Sequence, residues 1–203
     1  ISFAPQNKKF HLVNDAVTLS LQIKNISDLE VQIYKLNMLD YYRLNNREIN
    51  QEISLEGYIP NITKKITYNQ ASILKHEEQI DLPEIKTAGV YIIELSGNGI
   101  KTRAFIRKGN LYPVIYGSNS GHELQLFDDN QNKVNDYVVY FGKHQLTSNK
   151  TGIVTIPYTT TNNQEIKTLI FAHQEISCLY QFSHSQENFH LSQLILNQAE
   201  SLI

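Results

Sequence analysis

The sequence predicts an all-β protein built as two antiparallel β-sandwiches in tandem, with one short helical insertion. Three observations carry this. Apolar and polar residues alternate at a period of two along most of the chain, the pattern of half-buried strands. Clusters of turn-forming residues separate these runs at roughly 8 to 12 residue spacing, as in sandwiches. No helical pattern alternates with the strands, which argues against a parallel α/β sheet. The 203 residues suit two units of about 100 residues each. The segment "RKGNLYPV" carries Gly and Pro as linkers between sandwiches do, so the expected units are residues 1–109 and 110–203, with a C-terminal extension from about 187.

In "AVTLSLQIKN", Val17, Leu19, Leu21 and Ile23 share one face of a strand. "LEVQIYKL" repeats the pattern with Leu29, Val31 and Ile33, and the short link Asn25–Asp28 predicts a hairpin between the two. "NMLDYYRLNNREI" places Leu39, Tyr42 and Leu44 near helical spacing, so one or two helical turns are expected near residues 38–46, before a loop near Glu56–Asn61. "NITKKITY" reads as a strand and "HEEQIDLPEI" as an extended segment ending at Pro83.

Next comes "GVYIIELSGNGIKTRAFIRKG". Its Gly97-Asn98-Gly99 lacks the third glycine of a dinucleotide fingerprint, Thr102 standing in that place, and no helix pattern follows. Asn-Gly favours a hairpin turn, because both residues tolerate positive φ. The basic residues from Arg103 to Lys108 alternate with apolar ones and read as the wet face of the second strand.

In the second half, "HELQLFD" is expected as a strand anchored by Leu124 and Phe127, after "YGSNSG" as a loop. "YVVYFG" and "IVTIPY" are further strands, with "DDNQNKVND", "TSNKTG" and "TTTNNQE" as turns. "IKTLIFAH" and "ISCLYQFSH" form a final hairpin around Gln174 and Glu175. The tail "FHLSQLILNQAESLI" reads as a strand then a short helix over Gln198–Ile203, or as the first strand of a further domain.

The composition is globular, with 41% apolar and 19% charged residues, a net charge of −2 and a pI near 6.4. Basic residues are scattered, which argues against nucleic acid as a partner. No apolar run is long enough to span a membrane. A single cysteine, Cys178, allows no internal disulfide, and its apolar neighbours predict a buried, unreactive thiol. The chain starts at Ile1 rather than Met, the mark of a processed chain or an excised piece.

Chemistry-bearing patterns are weak. His184, Glu187 and His190 do not have the H-E-x-x-H spacing of a zinc helix, and in a strand the two histidines would lie about 20 Å apart. His122, His144 and His173 could meet only through the fold. Ser118 and Ser120 lack the spacing of a nucleophile elbow. Asp128-Asp129, with Asn130 and Asn132, lacks an EF-hand's ligand positions and reads as a solvated turn. Asn25, Asn61 and Asn149 open sequons. No catalytic, metal or cofactor site is therefore expected. Of the twelve tyrosines, Tyr41, Tyr42, Tyr112 and Tyr116 fall in regions read as irregular and form the candidate contact surface.

The run from "KTAGVYIIELSGNG" to "TGIVTIPY" resembles consecutive macroglobulin-like domains of bacterial-type α2-macroglobulins. Gly89, Tyr91 and Glu94 match the family's "GxYxVE" strand. Leu126, Asp128, Val134, Val138, Thr147, Asn149, Gly152 and Pro157 follow its "VxDxxTGxPV…TDxxGxxxxP" pattern, Asn149 standing where Asp is commoner. "VQIYKLN" is similar to its recurring "VxVYxVD". The likeness covers residues 12–182; the "T-D-x-x-G" turn is shared with fibronectin-like sandwiches. The resemblance implies seven-stranded sandwiches serving as scaffold in a secreted, periplasmic or cell-surface protease trap, with neighbouring domains and proteases or other proteins as partners. It carries no catalytic residue here: the family's Cys-Gly-Glu-Gln thioester is absent, Cys178 being followed by Leu179, Tyr180 and Gln181. The expectation is thus a non-catalytic structural or interaction module; an adhesin-like or carbohydrate-binding sandwich is the alternative.

Overall fold

The computed structural model describes residues 1–50, 52–69, 73–160 and 165–186. In chain order its elements are β1 (Ser2–Phe3), β2 (Phe10–His11), β3 (Thr18–Ile23), β4 (Asp28–Leu36), α1 (Met38–Asn45), β5 (Ile62–Thr67), β6 (His76–Asp81), β7 (Gly89–Gly97) and β8 (Ile100–Lys108). They continue with β9 (Tyr112–Ser118), β10 (Gly121–Phe127), β11 (Lys133–Val134), β12 (Val138–Phe141), β13 (His144–Thr147), β14 (Val154–Ile156), β15 (Glu165–His173) and β16 (Ile176–His184).

Two sandwiches result. In the first, a sheet in the order β1-β3-β6 faces one in the order β2-β8-β7-β4-β5. Pairing is antiparallel throughout except between β2 and β8. Val17, Leu19, Leu21 and Ile23 point across the gap to Leu29, Val31 and Ile33 of β4, Tyr91, Ile93 and Leu95 of β7, and Ile106 of β8. In the second, β10 lies between β9 and the pair β11 and β14, and faces a sheet in the order β13-β12-β15-β16. Leu124, Leu126, Val139, Val154, Ile156, Leu169, Phe171 and Phe182 fill that core.

The inward faces read from the alternation hold, as do the hairpins at Gly97-Asn98-Gly99 and Gln174-Glu175. Gly97 pairs with Ile100, and Asn98 and Gly99 take φ of 49° and 77°, the twist a two-residue hairpin turn requires. The hairpin expected across Asn25–Asp28 does not form. β3 pairs with β6 and β1, whereas β4 pairs with β5 and β7, so the link crosses from one sheet to the other. Both connections leave the same residues facing inward; here Ile26 is buried at the edge of the core as the chain crosses. "YGS" is strand rather than loop, the end of β9. Leu126, not Phe127, is the second inward anchor of β10, since Phe127 lies one position out of phase. The C-terminal tail lies outside the described residues.

α1 starts where Asn37 caps it: its side-chain oxygen accepts the Asp40 backbone N–H at 3.3 Å. It ends at Asn46, which turns left-handed at φ 50° and donates its N–H to the Tyr42 carbonyl. Met38 and Tyr42 point inward, while Leu44 is exposed.

Candidate interaction surface

The outer face of the five-stranded sheet grades from charge to oil. Register places Leu36, Val90 and Arg107 in one row, beside Phe10 on β2, and Tyr34, Ile92 and Phe105 in the next. Gln32, Glu94 and Arg103 follow, then Glu30, Ser96 and Lys101. The two apolar rows are covered by α1, by Ile49 and Leu55 from the loop after it, and by Ile170, Leu179 and Tyr140 of the second sandwich. This third cluster is the joint between the sandwiches. In the charged rows Glu94 is buried. Burial alone would raise its carboxyl pKa, but Arg103 at 2.7 Å and Lys101 at 3.0 Å hold it below the ordinary range. Arg103 also donates to the Ile53 carbonyl, pinning the covering loop.

Arg107 is the polar centre of the joint. It is 6% exposed. Its guanidinium donates to the Tyr42 hydroxyl at 2.7 Å and pairs with the Glu48 carboxylate at 2.9 Å. The Tyr42 hydroxyl in turn donates to Glu48 at 2.8 Å. Arg107 also reaches the Ser177 carbonyl of the second sandwich at 3.5 Å, and among the described residues its Nε has no partner. Burial drives the Tyr42 phenol well above its ordinary pKa despite Arg107, so it stays a neutral donor. At the rim, Lys35 pairs with Glu175 across the joint at 2.8 Å. The wet-strand reading of Arg103 to Lys108 is therefore corrected. Arg107 is buried because the outer face it occupies is covered, whereas Lys108, one position on and facing the other way, is buried and donates to the Ile85 carbonyl. Gly109 makes the link: at φ 77° a Cβ would stand 2.8 Å from Val13.

The four candidate tyrosines do not form one surface. Tyr42 is 0% exposed and works inside the joint, which removes it from any contact surface. Tyr41 is half-buried, edge-on to Tyr42. Tyr112 and Tyr116, 49% and 39% exposed, lie with Val114 on one face of β9, the edge strand of its sheet among the described residues. Tyr116 donates to Glu123 at 2.9 Å and accepts from Gln125 at 3.0 Å. Tyr112 also lines a groove of about 530 Å³ at the joint, with Phe10, Phe105, Pro113 and Tyr180. Phe10 and Tyr180 had no sequence signal; β2 and β16 reach the groove only through the fold.

The remaining chemistry-bearing residues serve structure. Cys178 is buried, which pushes its thiol up to about 12. The Asp128 carboxylate accepts the backbone N–H groups of Asn130 and Asn132, closing a turn, and Asp129 accepts that of Asn110. Asn149 likewise accepts from Thr151 and Ile153. His122 neighbours the ring of His184 at 5.5 Å, rather than His144 or His173; His173 bonds the Asp136 carbonyl. Glu187 and His190 lie outside the described residues. Among the described residues, no group of three or more His, Cys, Asp or Glu is placed to hold a metal ion.

Comparison with known proteins adds three findings. Residues 29–109 match the family profile described as the AbpF first immunoglobulin-like domain. The whole chain is 30% identical over 208 residues to "Actin-binding protein F" of Dictyostelium discoideum, and spans 9% of that protein's length. In solved structures the fold is similar to native alpha-2-macroglobulin from Escherichia coli. A fragment spanning domains MG0-NIE-MG1 aligns at 12% identity and a TM-score of 0.52, covering 89% of this chain and 63% of that one. A fragment spanning NIE-MG1 aligns at 15% and 0.50, covering 89% and 95%. At such identities the macroglobulin likeness is one of fold alone.

Proposed function

We propose that this chain is a non-catalytic two-sandwich module, residues 1–109 and 110–203, that acts as a stiff spacer and interaction platform within a much longer protein. The observation that carries it is the joint. A flexible linker would leave both facing surfaces polar, as between independently moving domains. Here Val90, Ile92, Tyr42 and Ile170 are buried together around the Arg107–Tyr42–Glu48 network. Scaffolding of the macroglobulin kind is supported by fold likeness. A protease-trapping parent has no residue here to argue from, and the likeness to Actin-binding protein F favours a parent of that kind. Small-angle X-ray scattering from the 203-residue chain tests the spacer reading. The expected profile fits this single arrangement; a profile that needs a spread of inter-sandwich orientations overturns it.

A second reading, favoured by the 30% identity, is that the module itself contacts actin filaments. Co-sedimentation with filamentous actin tests it. Pelleting with filaments, reduced by substitutions on the exposed face of Tyr112, Val114 and Tyr116, supports direct contact. Retention in the supernatant leaves the spacer role alone.

A further inference from the structure

A second groove, of about 910 Å³, opens on the other side of the joint, between the exposed side of α1 and the outer face of the second sandwich's sheet. Its charge is one-sided. Arg43, Lys143 and Lys167 line it with His144, and no Asp or Glu does, in a chain whose net charge is −2. Lys167 is held by Glu165, its neighbour along β15. Arg43 and Lys143 have no carboxylate partner among the described residues; Arg43 lies over the Tyr140 ring at 5.0 Å. Ile166 lines the same groove, 74% exposed near the start of β15, ahead of the buried run Leu169–Phe171. Cations ringing an exposed aliphatic and an aromatic ring suit one occupant class.

We propose that this groove docks an acidic segment of a partner protein that also presents an aliphatic side chain. The carboxylates meet Arg43 and Lys143, and the aliphatic group covers Ile166 and the Tyr140 ring. Charge complementarity selects the partner's sign, and the apolar floor selects a peptide over a bare polyanion. A nucleic acid would be expected to ask for a wider basic field than these few residues supply. The groove continues the apolar joint outward, so its walls are set by contacts that already hold the sandwiches together.

The test uses the 203-residue chain and a short fluorescein-labelled peptide of Glu and Leu. Its counterpart with Gln for Glu, phosphatidylserine vesicles and polyuridine are the comparisons. Fluorescence anisotropy should show the Glu peptide binding and the Gln peptide not, with affinity falling as salt rises. Lys143→Glu and Ile166→Ser should each weaken binding by roughly tenfold or more while leaving the thermal melt unchanged. Neither residue sits in the joint network, so these variants stay informative even if Arg43→Glu loosens the Tyr140 contact. Equal binding of the Gln peptide, equal binding by both variants, or preferential capture of vesicles or polyuridine overturns the proposal.

Discussion

Arg107 carries more of the account than any other single residue. A buried guanidinium is tolerated only when its donors are met, and here Tyr42, Glu48 and Ser177 meet them in part. Arg107→Met should cost about 1–3 kcal/mol, read by urea unfolding, with the loss shared with Tyr42→Phe in a double-mutant cycle because the two act in one network. Purely additive effects would show that the network is incidental. Cys178 should resist a thiol reagent in the native state and react once urea unfolds the chain; native labelling would contradict its burial. His122 gives the pH dependence. Burial, with His184 beside it, lowers its pKa, whereas the unfolded chain keeps a value of about 6.5. Below that pH the unfolded state binds the proton first, so stability falls as pH drops through about 6.5. His122→Phe should flatten that slope; an unchanged slope would assign it elsewhere. The burial of Cys178 was legible from its apolar neighbours; the roles of Arg107 and His122 were not. Alternation makes Arg107 read as solvent-facing, because the elements that cover it come from distant parts of the chain.

Among the elements, the local ones were the readable ones. Asn98-Gly99 and Gln174-Glu175 specify their turns within a few residues, and the inward faces of β3 and β4 follow from period two. The cap and stop of α1 are equally local. The partner of a strand is not: β3 and β4 bury the same side chains whether they pair or face one another. The link at Gly109 makes an element-scale prediction. Gly109→Ala forces a Cβ into Val13 at a left-handed φ and should cost more than about 1 kcal/mol in urea unfolding, with Gly99→Ala as the comparison. Gly99 has a similar φ but open space around it, so its penalty should be the smaller. Equal penalties would mean that backbone strain alone, and not the crowded joint, sets the cost.

For the whole molecule, the tandem sandwich architecture was visible from turn spacing and alternation, but the buried joint between the sandwiches was not. It depends on one outer sheet face being half apolar, on a helix of eight residues lying over it, and on a second sandwich closing the remainder. Each contribution is short, and each reads alone as an ordinary amphipathic stretch. The same joint borders the two grooves, one aromatic and one basic, so the proposed spacer and docking roles share one origin. The most direct test of the central claim is a distance measurement across that joint. Spin labels at Glu77→Cys on β6 and Thr155→Cys on β14, both exposed, place one probe on each sandwich. Double electron–electron resonance should return one narrow distance distribution that broadens when Arg107→Met and Tyr42→Phe are combined. A broad distribution in the unaltered joint would contradict the claim that the two sandwiches form a single stiff body.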